Sequence, residues 1–443
     1  MSLINTFTEN IILPISDIVT GKSIDKYLKL LKKSGYWTRQ QMDEYQNMKL
    51  RLLIDHSYKN VAYYNELFQD LGLRPEDIQT KEDLQKLPIL TKATLRDNIS
   101  NGKLIASNLS KSKFIPNSSS GSTGEPLKFF ETPESYSMNI ASNLRGWYNM
   151  GYRLGDKYLK LSVNPRSSKT KQLQDYFNNC LYFPSKSVGN EDIKKFILVV
   201  QNEKPKFLRG YPSTLSIIAK YIIENGIVIK GVIGINTTGE ILFSDMRNVI
   251  EQAFNTKIFD SYSGEGGANM FQDKSGIYNI SHEYAITELI DKSGKIIDNG
   301  IGEVISTNLW NFANPFIRYE VNDSIEVHEC TDISKPLQAK HILGRNVDML
   351  KTPSGNTLIV HLFTGYFAGI SSVNQFQIRQ DSPFDFILSL VVNDLFTNEI
   401  EKEIFDFVQK YTGNEAFLKI EVVQSIASQV NGKNRFMLKN FKD

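Results

Sequence analysis

Cysteine is nearly absent from the chain: Cys180 and Cys330 are the only two in 443 residues, far apart and without CxxC spacing. That excludes a disulfide framework and a thiolate zinc site, and it fits a reducing compartment. Also missing is any apolar run approaching the roughly 20 residues that cross a bilayer. No basic segment followed by an apolar stretch and a small-residue cleavage site opens the sequence, so it reads as cytoplasmic, without a membrane span. Charge of one sign is lacking too. The 51 Lys and Arg residues offset 49 Asp and Glu, a net +2 mixed along the whole length, so the basic footprint of a nucleic-acid binder is absent. The five histidines form no ligand cluster by spacing, and His282 and His341 read as structural or partly exposed residues. There is no internal repeat, heptad array or long low-complexity tract.

What is present suits a globular protein with real cores: 41% of residues are hydrophobic and 23% charged. The length exceeds what one core usually supports, which predicts two or three subdomains. Residues 1–100 predict a mainly helical entry region, because segments such as "SIDKYLKLLKKSGYW" place apolar residues at three- and four-residue intervals. The character changes at Asn117. From about Phe129 to Glu265, strand-like runs ("YLKLSV", "FLRGYP", "VIGINTTGE", "TKIFDSYSGE") alternate with helical ones. That pattern predicts an α/β domain of parallel strands with ligands at their carboxyl ends. "YAITELIDKSGKIIDNGIGEVISTNLWNFANPFIRYEVNDSIEV" predicts hairpins of a small β-subdomain, with the chemistry between the two parts. A boundary near Gly344 divides residues 1–343, a large domain, from 344–443, a small α+β domain.

The run from Ser118 to Pro126, "SSSGSTGEP", gathers hydroxyls and glycines whose backbone N–H groups can surround a phosphate. Such runs also mark ordinary surface loops. It is not a Walker A loop, since Gly124 is followed by Glu125 and Pro126 rather than Lys and Ser or Thr. The run resembles the phosphate loop of the adenylate-forming enzymes, specifically the phenylacetate-CoA ligase and capsular polysaccharide biosynthesis (CapK-like) branch. Five segments in family order, over roughly residues 40 to 440, carry the resemblance.

The resemblance implies that Ser119, Ser120, Gly121, Ser122, Thr123 and Gly124 contact the phosphates of ATP. "NTTGEILFSDMRNVIEQAFNTKIFDSYSGEGG" is similar to the adenine-pocket region, which implies Gly239 and Glu240 beside the adenine, Tyr262 against the nucleotide, and Glu265 as a Mg²⁺ ligand. A hard cation near a triphosphate takes carboxylate oxygen. The family usually spaces these as Tyr-Gly-x-x-Glu; here Tyr262 and Glu265 are one residue closer. In "FIRYEVNDS" the matching ribose-binding carboxylate is Asp323. "LGRNVDML" resembles the hinge motif, with Arg345 reaching ribose and phosphate, Asp348 retained and Val347 in place of a second aspartate. "NGKNRFML" looks like the Gly-Lys-x-x-Arg element and implies Lys433 as the catalytic cation. "FLRGYPSTL" is similar to a segment near the acyl pocket and implicates Tyr211, Pro212 and Ser213.

The fold implied is a large adenylate-forming domain, with parallel α/β sheets and a small β-subdomain, followed by a small mobile α+β lid. The activity implied is attack of a small carboxylic acid on MgATP, giving acyl-AMP and pyrophosphate. Acyl transfer follows, to coenzyme A or to an amine or hydroxyl of a sugar-linked acceptor in surface polysaccharide synthesis. Two other readings stay open: an ADP-forming ligase or kinase, and a nucleotide- or acyl-binding protein without catalysis in a polysaccharide-assembly pathway.

Overall fold

A computed structural model describes residues 2–118, 127–162, 169–185, 190–291, 293–328, 335–344, 349–354, 357–359, 363, 366–367, 370–426 and 436–441. The entry region is helical as its periodicity predicts, with helices at Ile24–Ser34, Arg39–Asn60, Ala62–Asp70 and Lys92–Ser100. Hydroxyl residues set their starts: Thr38 accepts from the Gln41 amide and Thr91 from that of Thr94, satisfying donors that a first turn leaves unpaired. The inward faces of these helices, through Leu31, Leu50, Leu53, Ile54 and Phe68, enter one core with the antiparallel strands described below.

A two-stranded hairpin, β1 (Ile115–Ser118) and β2 (Lys128–Glu131), flanks residues 119–126. Parallel strands follow: β3 (Tyr158–Ser162), β4 (Cys180–Pro184), β5 (Phe207–Gly210), β6 (Gly234–Thr238) and β7 (Ile258–Ser263). Helices Asn190–Glu203, Pro212–Glu224 and Ser244–Phe254 connect them, as the alternation predicts. The β4 edge strand and the helix at Lys169–Phe177 are additions that the sequence reading did not separate. After β7 the pairing turns antiparallel through β8 (Asn269–Gln272), β9 (Tyr278–Ile280), β10 (Ala285–Ile290), β11 (Ile301–Asn308), β12 (Tyr319–Val327) and β13 (Gln338–Gly344).

The predicted hairpins are therefore present, but they continue the parallel strands as one mixed sheet of eleven, in the order β10-β11-β12-β13-β9-β8-β7-β6-β5-β3-β4. The parallel strands need cover on both faces, whereas hairpins tolerate one wet face. The joint between the two regimes is the turn that follows β7.

Beyond Gly344 come a hairpin of β14 (Met349–Lys351) and β15 (Thr357–Ile359), then a sheet of β16 (Val373–Gln380), β17 (Asp385–Val392), β18 (Phe417–Val422) and β19 (Met437–Lys439), in the order β18-β17-β16-β19. The helix Asn398–Thr412, capped by Thr397, lays Ile404 and Val408 into the core. This C-terminal unit shares a continuous apolar cluster with the parallel half, where Phe243 meets Phe436 at a ring-centre distance of 5.8 Å.

Candidate active site

A cavity of about 1010 Å³ opens at the carboxyl ends of β6 and β7, where the parallel and antiparallel halves join. This is where open α/β sheets ordinarily take ligands. Its wall combines the turn after β6, the turn after β7, the middle of β12, Asn117 and Ser118 of β1, and Phe436 from the C-terminal unit.

The turn after β6 runs Thr238-Gly239-Glu240, with Gly239 at φ +84°, a conformation that side-chain-bearing residues rarely adopt. Glu240 Oε2 accepts a 3.0 Å hydrogen bond from the Ser213 amide in the first turn of the helix Pro212–Glu224. A carboxylate there offsets the positive end of the helix dipole. Two segments distant in sequence thus meet, and the phenol of Tyr211, just before that helix, is pushed up by burial and by the nearby Glu240 charge. Tyr211, Gly239 and Glu240 line the cavity, while Pro212 and Ser213 are buried and lie off its wall.

Tyr262, at the end of β7, donates from its hydroxyl to Asp323 Oδ2 at 2.6 Å. The aspartate sits on β12 directly after Asn322, which takes the left-handed conformation at φ +63°. Glu265 is held from two sides: Lys92 Nζ lies 3.2 Å from Oε1, and the Tyr319 hydroxyl donates to Oε2 at 2.6 Å. Lys92 arrives through a backbone bridge, in which the Leu90 amide donates to the Arg318 carbonyl at 2.8 Å and the Glu320 amide to the Leu90 carbonyl at 3.1 Å. Behind Glu265, Gly267 has φ +92°, and a Cβ there would fall 2.7 Å from Asn308 Nδ2, so the turn admits glycine only.

On the facing wall Glu131 accepts from Asn117 Nδ2 at 2.7 Å and from Ser135 Oγ at 3.1 Å. Burial pushes its carboxyl above the usual carboxylate range, and these hydrogen bonds offset only part of that. Asp260, buried but lining the cavity, accepts from Thr237 at 2.5 Å and Tyr278 at 2.7 Å. Its carboxyl is likewise pushed up by desolvation.

Of the residues that the sequence singled out, Tyr211, Gly239, Glu240, Tyr262, Glu265 and Asp323 gather on one cavity. Ser119, Ser120, Gly121, Ser122, Thr123, Gly124, Arg345 and Lys433 lie outside the described residues. The sequence reading did not identify Lys92, Tyr319, Asn117, Glu131 or Phe436. Tyr319 stands inside the segment quoted for Asp323, and Lys92 inside "LTKATLRDN", whose Thr announces only a helix start. No described helix is long and apolar enough to cross a membrane. His282 is buried with Nε2 2.8 Å from the Leu337 carbonyl, and His341 is exposed beside Glu326.

Residues 350–440 match the family model of the CapK C-terminal domain. The chain is 28% identical over 411 residues to protein CapK of Staphylococcus aureus, covering 90% of this chain and 89% of that one. The chain is thus similar over most of its length to CapK and to the phenylacetate-CoA ligases. It is 27% identical to phenylacetate-coenzyme A ligase of Pseudomonas putida, covering 69% of this chain and 71% of the relative. Its fold is that of 2-hydroxyisobutyryl-CoA ligase in the postadenylation state with an acyl-AMP, at TM-score 0.73, 17% identity and 90% coverage of both chains. Against the same enzyme in its thioesterification state, the TM-score is 0.59 over the same 90% of each chain.

Proposed function

We propose that this protein joins a small carboxylic acid to the AMP moiety of ATP and then passes the acyl group to a thiol, amine or hydroxyl acceptor. The observation that carries this reading is the convergence of Glu240, Tyr262, Glu265 and Asp323 on one cavity at the end of the parallel strands. The volume stands at the upper end of the ordinary range for small-molecule sites, roughly 300–1,000 Å³. Asp323, oriented by Tyr262, is the carboxylate to accept hydrogen bonds from the vicinal ribose hydroxyls. Gly239 leaves room for a flat base beside Glu240, and Tyr262 supplies an aromatic edge to the nucleotide.

The acid's carboxylate oxygen would attack the α-phosphorus as the bond to pyrophosphate breaks, giving the mixed anhydride acyl-AMP. The acceptor's heteroatom would then attack the acyl carbon, and AMP would leave. Positioning and charge compensation supply most of the acceleration in such displacements. Lys433 is assigned the first-step charge compensation, residues 119–124 and Arg345 the phosphate and ribose contacts, and residues 344–443 the role of lid. Mg²⁺ would neutralise phosphate charge, and Glu265 is the described carboxylate suited to hold it, together with phosphate oxygens and water. Lys92 keeps that carboxylate neutralised in the meantime. The acceptor is a CoA thiol or a sugar-linked amine or hydroxyl, as the names of the two kinds of relative suggest.

The test is carboxylate-dependent exchange of labelled pyrophosphate into ATP across a panel of acids, with Asp323→Ala and Lys433→Ala beside the unchanged protein. Exchange that depends on one class of acid and collapses in both variants supports adenylation. ADP among the products, or ATP binding without exchange for any acid, defeats it.

A further inference from the structure

The helix at the start of the chain is turned inside out. It runs from Leu3 to Thr20, with a wider π turn at Thr8–Ile12 just before Pro14, whose missing N–H and bulky ring disturb a regular ladder. It is anchored to the protein through polar side chains. Asn5 is buried and donates to the Leu154 carbonyl at 3.0 Å, and Asp17 is buried and accepts from the Asp25 amide at 2.8 Å. Glu9 faces Tyr148, and the Thr8 hydroxyl packs into the space left by Gly155.

The opposite face carries the large apolar residues: Leu3 is 90% exposed, Ile18 83% and Val19 79%, with Ile4, Phe7, Ile11, Ile12 and Ile15 also open to solvent. A patch of this composition on a monomer marks an interaction surface, because scattered single residues, not contiguous rows, are what soluble surfaces ordinarily expose.

Gly21, at φ +65°, turns the chain into the next helix, Ile24–Ser34, which packs beside it. That helix buries Tyr27 and Leu31 and exposes Lys26, Lys29, Lys32 and Lys33. An apolar face therefore lies next to a lysine face, and among the described residues only Lys29 of these four has a carboxylate partner, Asp25.

We propose that these two helices dock the protein on an anionic lipid surface. The apolar row enters the acyl boundary, and the lysines rest among acidic headgroups. Buried apolar area and attraction to anionic lipid both contribute to such binding. A second copy of the chain is disfavoured as occupant, since a two-fold pairing of the same patch would bring the lysine faces together without supplying an acidic counterpart.

The full chain is to be sedimented with vesicles of phosphatidylcholine, and with vesicles in which part of it is replaced by phosphatidylglycerol. Binding should be strong only on the anionic vesicles and should weaken with added salt. The variant Ile4→Asp/Ile11→Asp/Ile18→Asp should lose it. Lys26→Gln/Lys29→Gln/Lys33→Gln should weaken it on the order of 10²-fold, from about a fivefold share for each lysine. Both should keep the melting temperature of the unchanged protein, because every altered side chain is exposed. No vesicle binding by the unchanged protein, or equal binding by the isoleucine variant, overturns the proposal. So does concentration-dependent dimerisation, seen by analytical ultracentrifugation and abolished in that variant, without vesicle binding.

Discussion

Glu283 and Glu265 are both glutamates set against a cation, and they are built differently. Glu283 has 2% of its side chain exposed and receives both arms of the Arg145 guanidinium, at 2.6 and 3.0 Å, plus the Ser34 hydroxyl. Glu265 has 18% exposed on the wall of a cavity, and its cation is Lys92, a single ammonium at 3.2 Å. An arginine fork fixes a carboxylate in orientation, whereas a lysine is a movable point charge. The first pair ties the helix Pro133–Asn149 to the turn before β10, with Ser34 adding an entry helix; the second lies on the wall of the cavity. A carboxylate-cation contact is thus informative only with its burial and its donor geometry.

The largest effect that would test this contrast is on stability. Glu283→Ala leaves a partly buried guanidinium unpaired and should cost about 3–5 kcal/mol in urea unfolding, with ATP affinity of the folded fraction unchanged. The same pair should also show in pH dependence. Burial acts to raise the Glu283 carboxyl, but Arg145 and Ser34 outweigh it and hold the group below its ordinary 4.5. Its stabilisation is fully present above pH 4.5 and is lost as pH falls through the lower folded-state value. Glu283→Gln should flatten that acid-side slope in urea midpoints. An unchanged slope would show that another carboxylate governs it.

Next in size is Asp323→Ala. Losing hydrogen bonds to a charged group should lower pyrophosphate exchange about 10²-fold, while stability changes by less than about 0.5 kcal/mol. Lys92→Met is the variant that could break the comparison. If Lys92 and Glu265 form an exchangeable pair, stability should fall by much less than in Glu283→Ala, and exchange should drop about tenfold, as for one lost hydrogen bond to a charged group. A stability loss as large as that of Glu283→Ala would make both pairs structural. The smallest effect is expected from Tyr262→Phe. Removing one neutral donor should raise the KM for ATP about fivefold, near 1 kcal/mol, and leave unfolding unchanged.

Much of this architecture could be read from the chain because local periodicity encodes it. The runs around Leu159, Leu208, Ile235 and Ile258 alternate with helical segments, and that alternation is enough for parallel strands. Gly239 and Tyr262 could be found because the segment that holds them resembles the adenine-pocket region of the adenylate-forming enzymes. The pairing of Glu265 with Lys92 could not be, since it depends on a bridge between Leu90 and Tyr319, and such pairing leaves no trace in composition. The joining of the hairpins to the parallel strands escaped for the same reason. The first helix shows another limit: spacing reveals that Ile4, Phe7, Ile11 and Ile18 share a face, but it does not say which side of the helix the protein occupies.

Phe436 gives the cavity one further property. Because this ring belongs to the C-terminal unit while Asp323 and Glu265 belong to the preceding one, the pocket is assembled from two parts of the chain that lie far apart in sequence. A compound touching only the Asp323 side would report occupancy, whereas one gripping both sides would act as a wedge or a clasp. Screening for molecules that need Phe436 would therefore select for agents that pin the two parts together, a different route from filling the Asp323 side alone.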